Sequence, residues 1–307
     1  MSNLAASAHR PVMLLQALAG LNIQPAGCYV DCTYGRGGHA AAILERLGPH
    51  GRLLAFDRDL EALAAPPTAE RDPRLELIHS PFSQADVALK QRGLAGQIHG
   101  VLMDLGVSSP QLDNPARGFS FRADGPLDMR MDQSTGIPAS TWLNTASEAA
   151  IRECLWQHGE ERMGRQIAAK ICLERRHAPF ETTRQLAELV TSVVHRERRI
   201  DPATRTFQAL RIMVNSELDE LSTALARLAA LLCAAGRLVV ISFHSLEDRI
   251  VKRFFRDTVR HSQAAPPGDP GPQYQLVLRK SVVPERDELA DNPRARSARL
   301  RVLERTA

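Results

Sequence analysis

The stretch DCTYGRGGHAAAIL, residues 31–44, decides the fold. A short apolar run, Cys28-Tyr29-Val30, precedes it, and a helix-favouring alanine run ends it. Between them stand three glycines in four positions, the arrangement that lets bare backbone approach a ligand. Gly35 to Ala40 fit the G-x-G-x-x-A fingerprint of a dinucleotide site. They also fit a loop that wraps S-adenosylmethionine.

Working outward, strands and helices alternate. Residues 28–32 read as a first strand, with a helix after the loop through Leu47. Arg52 to Phe56 form a second strand ending at Asp57, and Leu75 to Ile78 a third ending near Ser80-Pro81-Phe82. Helical sequence then runs to about Arg92, and Gly100 to Met103 make a fourth strand ending at Asp104. Residues 104–136 show no period, yet they carry Phe119, Phe121 and Leu127. A loop this long with such residues is expected to be ordered and functional. Helices are predicted over 147–157, 160–176, 183–195 and 205–232, the third starting at Thr182-Thr183. A buried strand, 237–243, ends at His244, and a helix over 246–260 follows. The stretch 261–273 reads as a flexible surface loop, and Tyr274–Val283 and Ala298–Glu304 as two last strands.

Strands alternating with helices predict an α/β fold, a mostly parallel sheet with helices on both faces. A helical insert interrupts it between strands four and five. The expected domains are a discontinuous catalytic one, 1–136 and 216–307, and a substrate-recognition insert, 137–215.

The 307 residues are 44% hydrophobic, ample for a core. No apolar stretch reaches the ~18 residues that span a membrane. The N-terminal MSNLAASAHRPVMLL lacks the basic-then-apolar order of a signal peptide, so a cytoplasmic location is expected. The cysteines at 28, 32, 154, 172 and 233 are dispersed without a C-x-x-C pair, which counts against a zinc knuckle or redox centre. None follows a proline, which counts against a cytosine-C5 methyltransferase. The net charge is +4, and all but four of the 39 basic residues are arginines. Arginine suits phosphate forks and base stacking, although genomic codon bias yields the same excess.

Ligands of open α/β sheets bind beyond the carboxyl ends of the strands, where Asp31, Gly37, Asp57, Phe82, Asp104 and His244 all fall. Asp57 suits a ribose in either cofactor. Asp31 discriminates. A carboxylate beside the loop repels a pyrophosphate but favours the ammonium and sulfonium of S-adenosylmethionine. The methionine carboxylate of that donor is then expected against the first N–H groups of the helix starting near Gly38. No Gly-Lys-Ser/Thr follows the loop, so a Walker A site is excluded. A nicotinamide dehydrogenase and a non-catalytic RNA-binding module are the rival readings.

Longer motifs sharpen the choice. HRPVMLL (9–15), DCTYGRGGH (31–39), FDRD (56–59), MDLGVSSPQLD (103–113) and RGFSFRADGPLDMRMD (117–132) occur in order. HGEERMGRQIA (158–168), PATRTFQALRIMVNSEL (202–218), SFHSLEDRIVKRFF (242–255) and NPRARSARLRVLER (292–305) follow. With these the sequence resembles the bacterial ribosomal RNA small-subunit methyltransferase H family. The resemblance implies a class I methyltransferase fold with a helical insert and transfer of a methyl group from S-adenosylmethionine to N4 of a cytidine in 16S ribosomal RNA. It implies the assembled small subunit, near the decoding and P-site region, as partner. It places the donor on Gly37, Gly38, His39, Asp57, Phe82, Asp104 and Gln111.

Asp104 is the candidate acceptor of the amine proton, with Ser108 and His244 adding hydrogen bonds. Asp104-Leu105-Gly106-Val107 lacks the prolines and aromatic of the usual amino-methyltransferase motif, so base stacking is expected from Phe119 or Phe121. Arg205, Arg211, Arg294 and Arg296 are candidate RNA contacts. No metal is expected, and either a monomer or a homodimer is compatible with the sequence.

Overall fold

The protein is described by a computed structural model over residues 11–64, 72–194, 201–264 and 271–306. Among the described residues seven strands form one sheet: β1 (Cys28–Asp31), β2 (Arg52–Asp57), β3 (Leu75–His79), β4 (Ile98–Asp104), β5 (Leu232–Ser242), β6 (Tyr274–Leu276) and β7 (Arg299–Arg305). Their order is β3-β2-β1-β4-β5-β7-β6. The first five are parallel, and β7 runs antiparallel between β5 and β6.

Parallel strands covered on both faces are apolar at every position, and alternation decides which face each side chain joins. Tyr29, Leu53, Ala55, Leu102, Val239 and Ile241 pack with α1 (Leu14–Leu21) and α2 (Gly38–Leu44). Val30, Leu54, Phe56, Val101, Met103, Leu238 and Val240 pack on the other face. Behind α3 (Leu60–Ala64) in the chain, α4 (Ala85–Gln91) joins that second layer.

Between β4 and β5 come α5 (Ser109–Asp113), α6 (Ala139–Thr145), α7 (Glu148–Gly159), α8 (Gly164–Glu174), α9 (Thr183–Val193) and α10 (Thr204–Asn215). The chain then returns through α11 (Glu217–Ala229), and ends with α12 (Ser245–Gln263) and α13 (Arg286–Asp291). The helix start at Thr182 is a reciprocal cap. Its hydroxyl accepts from Gln185 N–H, and the Gln185 side chain accepts from Thr182 N–H.

The chain forms two compact units, one through Gly106 and from Leu218 onward, the other from Val107 to Glu217. The expected first boundary, after residue 136, is therefore displaced. Phe119, Leu127, Met129 and Met131 of the long segment enter the core formed by α6–α10. Asn215 stitches it down: its Nδ2 donates to Met129 O, and its Oδ1 accepts from Met131 N, both at 2.8 Å.

Other differences have local causes. The helix expected over 205–232 breaks at Ser216, whose φ of 50° separates α10 from α11. β5 begins at Leu232, well before the expected 237. The strand expected from Tyr274 to Val283 is only Tyr274–Leu276, with Val282 meeting Leu300 in an isolated bridge. α1 was not expected. Of the expected loop 261–273, residues 261–263 belong to α12, and 265–270 lie outside the described residues, as do most of the N-terminal residues read for a signal. Among the described residues no helix is long and apolar enough to cross a membrane.

Candidate active site at the carboxyl ends of the strands

The site grows from β1. Asp31, at its end, is 1% exposed. The chain then turns across the neighbouring strand ends. Thr33 N–H donates to Asp31 Oδ1 at 3.0 Å, and Thr33 Oγ1 accepts from Asp104 N–H at 2.8 Å. Tyr34 N–H donates to Phe56 O, and Gly35 N–H donates to Asp57 Oδ2 at 2.8 Å. The loop is thus laced to both β2 and β4, and three carboxylates share one edge.

The glycines are required by geometry. Gly37 has a φ of +71°, and a Cβ there would meet the Tyr34 ring at 2.8–3.0 Å. A Cβ on Gly38 would stand 2.4 Å from Pro11 Cγ.

Burial dominates the electrostatics. It pushes the Asp31 carboxyl up to about 6, opposed by His39 and by the Thr33 N–H, with Asp104 and Asp57 adding to the rise. Asp31 Oδ2 is buried without a hydrogen-bond partner among the described residues. Asp57 is also raised by burial, while backbone N–H groups of Asp59 and Gly35 partly offset it. Burial disfavours a charged His39, yet Asp104 foremost, then Asp31 and Glu288, outweigh it and raise its pKa. His39 Nε2 lies 3.4 Å from Asp104 Oδ2, looser than a charge-assisted hydrogen bond. Neither ring nitrogen of His39 nor Asp104 Oδ1 has a well-aligned partner among the described residues. Buried, unsatisfied acceptors around a glycine loop suit a cationic, hydroxyl-bearing ligand and oppose a phosphate.

Phe82 begins a 3-10 turn after β3, and its half-buried ring packs on the core beside the site edge. His244 is the N-cap of α12. Its Nδ1 accepts from Glu247 N–H at 3.4 Å, and Glu247 Oε2 accepts from the N–H groups of Phe243 and His244. Its Nε2 lies 3.1 Å from Glu247 Oε1. This ring is therefore held as a helix cap.

In the helical unit, Ser108 and Gln111 form a reciprocal cap of α5: Ser108 Oγ accepts from Gln111 N–H, and Gln111 Oε1 accepts from Ser108 N–H. Of the two rings expected to stack on the base, Phe119 lies in the helical core and Phe121 is partly buried against it. Phe119 is 6% exposed, and Phe121 meets Phe207 edge-on at 4.8 Å between centroids. Arg211 is held by Glu217 in a bidentate pair at 2.8 Å, with both side chains largely buried. Arg205 is half-buried on α10. Arg294 and Arg296 are exposed on the turn Pro293–Ser297 before β7.

Sequence reasoning missed Thr33, Pro11 and Glu288. A hydroxyl two residues after a strand-end acid was a visible signal for Thr33. Glu288 accepts from Met13 N–H at 2.6 Å across 275 residues, which no local pattern reveals.

The MraW methylase family model matches residues 6–306. A relative named ribosomal RNA small subunit methyltransferase H, from Chromobacterium violaceum, is 51% identical over 313 aligned residues, covering 97% of this chain and 95% of that protein. Among solved structures, a 1,6-didemethyltoxoflavin-N1-methyltransferase from Burkholderia thailandensis with bound S-adenosylhomocysteine matches at 14% identity and TM-score 0.41, covering 96% of this chain and 76% of that one. An rRNA methylase from Streptococcus thermophilus matches at 12% identity and TM-score 0.34, covering 95% of each chain.

Proposed function

The chain belongs to the MraW methylase family, and on that premise we propose that it transfers a methyl group from S-adenosylmethionine to N4 of one cytidine in 16S ribosomal RNA, near the decoding region of the small subunit. One observation carries the choice of donor: Asp31 Oδ2, buried and unpartnered beside the glycine loop. A pyrophosphate there would face three carboxylates, whereas a cation relieves them. The residues fit the donor. Asp31 meets its cationic portion, the loop at Gly37 and Gly38 lets it approach, Asp57 takes the ribose hydroxyls and Phe82 lies beside the adenine.

When bound, the donor supplies a methyl group activated by positive sulfur. The chain supplies placement. The lone pair of an exocyclic amine is delocalised into its ring, so orientation matters greatly and contributes up to ~7–11 kcal/mol in favourable cases. Asp104 Oδ1, without a partner among the described residues, accepts the amine N–H as the nitrogen–carbon bond forms and the sulfur–carbon bond breaks. Its Oδ2 is turned to His39, which orients the carboxylate. Calorimetric titration with S-adenosylmethionine and with NAD tests the donor. Binding of the first alone is expected, and preference for NAD would overturn the reading.

A further inference from the structure

α12 leaves the carboxyl end of β5 at His244 and runs for 19 residues. Leu246, Val251 and Phe255 are buried on one side of it, the last two in the sheet's core. On the opposite side Arg249, Lys252, Arg253, Arg256 and Arg260 are exposed. Their spacings of three and four place them in one stripe. At 1.5 Å per residue the stripe is roughly 16 Å long.

Part of this stripe stays without a counter-charge among the described residues. Of the three acids on the helix, Glu247 is buried in the cap and Asp248 is held by Arg301 in a bidentate pair at 2.7 and 3.1 Å. Only Asp257 faces the cations, 3.0 Å from Arg256 and 3.8 Å from Arg260. Lys252 and Arg253 have no ion-pair partner among the described residues. Helix-dipole stabilisation accounts for a cation in the last turn, where Arg260 sits, but not for Lys252 or Arg253. Like charges four apart, as in Arg249 with Arg253 and Lys252 with Arg256, oppose the helix. Such a ridge fits a partner carrying regularly spaced negative charge.

We propose that the exposed ridge of α12 is a docking track for the sugar-phosphate backbone of the RNA strand that flanks the target base, an inference that rests on the ribosomal RNA reading above. The guanidinium forks bind phosphate oxygens bidentately, and Lys252 adds a point charge. The track begins at the carboxyl edge of the sheet, so a strand held there leads away from Asp104's own edge. An anionic membrane is the other surface that attracts basic helices, but it needs a free apolar face, and Leu246, Val251 and Phe255 are already buried.

The test uses the full chain with Lys252→Ala/Arg253→Ala, and Arg52→Ala at the opposite end of a strand as control. Affinity for a transcribed small-subunit rRNA fragment is measured against KCl concentration, and kcat and KM on unmethylated small subunits. Lost phosphate contacts lower the slope of log K against log salt by roughly 0.7 for each contact on a single strand. The double variant is expected to lose ~1–1.5 of that slope and to raise KM with kcat retained. Its thermal midpoint should be unchanged or higher, since like-charge repulsion is relieved; a merely structural role would lower the midpoint and leave the slope alone. Equal slopes and KM values in a wild type that methylates RNA overturn this inference alone. A wild type that neither binds nor methylates RNA overturns the ribosomal RNA reading and this inference together. Binding of phosphatidylserine vesicles, lost in the double variant while its RNA slope is normal, also overturns it.

Discussion

Nε2 of His39 stands 3.4 Å from Oδ2 of Asp104, joining the helix after the glycine loop to the end of β4. Burial opposes the imidazolium, but Asp104, with Asp31 and Glu288, raises its pKa. A raised histidine pKa stabilises the fold fully below the unfolded-state value of about 6.5, and that contribution disappears as pH rises through the folded value. Relative to His39→Gln, the wild type should therefore lose stability as pH climbs from about 6.5. Urea unfolding at a series of pH values measures this, and parallel stability curves for the two proteins would count against the pair.

Asp31 has the opposite chemistry and the same sign. Burial raises its pKa from 3.8 to about 6, so the folded state binds the proton more tightly than the unfolded one. Its contribution is full below 3.8 and is lost as pH rises through about 6. Asp31→Asn should stabilise the ligand-free protein at pH 7 by ~2–3 kcal/mol, the cost of a two-unit shift. The same variant should weaken donor binding. In the wild type, donor binding near pH 6 should release a proton, visible as a buffer-dependent enthalpy in calorimetry.

Asp57→Ala removes the acid assigned to the ribose. Donor affinity should fall by ~1.5–3 kcal/mol, the scale of a hydrogen bond to a charged group. Its backbone partners Gly35 and Asp59 lose an acceptor as well, so a circular dichroism spectrum accompanies the titration. Unchanged affinity in a folded variant would remove Asp57 from the donor site.

Phe119 separates packing from recognition. As a core ring, Phe119→Ala should cost ~3–5 kcal/mol of stability in denaturant unfolding. The folded fraction should keep a wild-type KM for RNA. A stable variant with a raised KM would return the ring to base stacking.

The parts of this site visible in the sequence are those whose cause is local. β1, β2 and β4 each end on an aspartate, and the glycine loop follows the first, so Asp31, Asp57 and Asp104 were readable as one edge. The wider division was not readable. Phe119, Leu127, Met129 and Met131 find their apolar partners in helices far along the chain, so residues 107–136 looked like part of the catalytic unit. Ser216 breaks a continuous helical period without a glycine or proline to announce it. Its neighbour Asn215 is engaged with the backbone of Met129 and Met131, a long-range demand that overrides local propensity. β5 starts early through Leu232-Cys233-Ala234-Ala235, which reads as helix by composition, and Ala235 takes a φ of 61°. The pairing of Arg211 was not readable because its acid, Glu217, lies across the helix break.

The central claim concerns one methyl group and where it lands. Small subunits from cells lacking the enzyme, incubated with this protein and isotopically labelled S-adenosylmethionine, give a product whose RNA can be mapped by mass spectrometry. The account predicts label on N4 of a single 16S cytidine near the decoding region. It also predicts loss of at least ~10²-fold in rate, with the fold retained, for Asp104→Asn, the scale of one positioned proton acceptor. Label on a ring carbon, on another base or on no RNA, or full activity in Asp104→Asn, would contradict it.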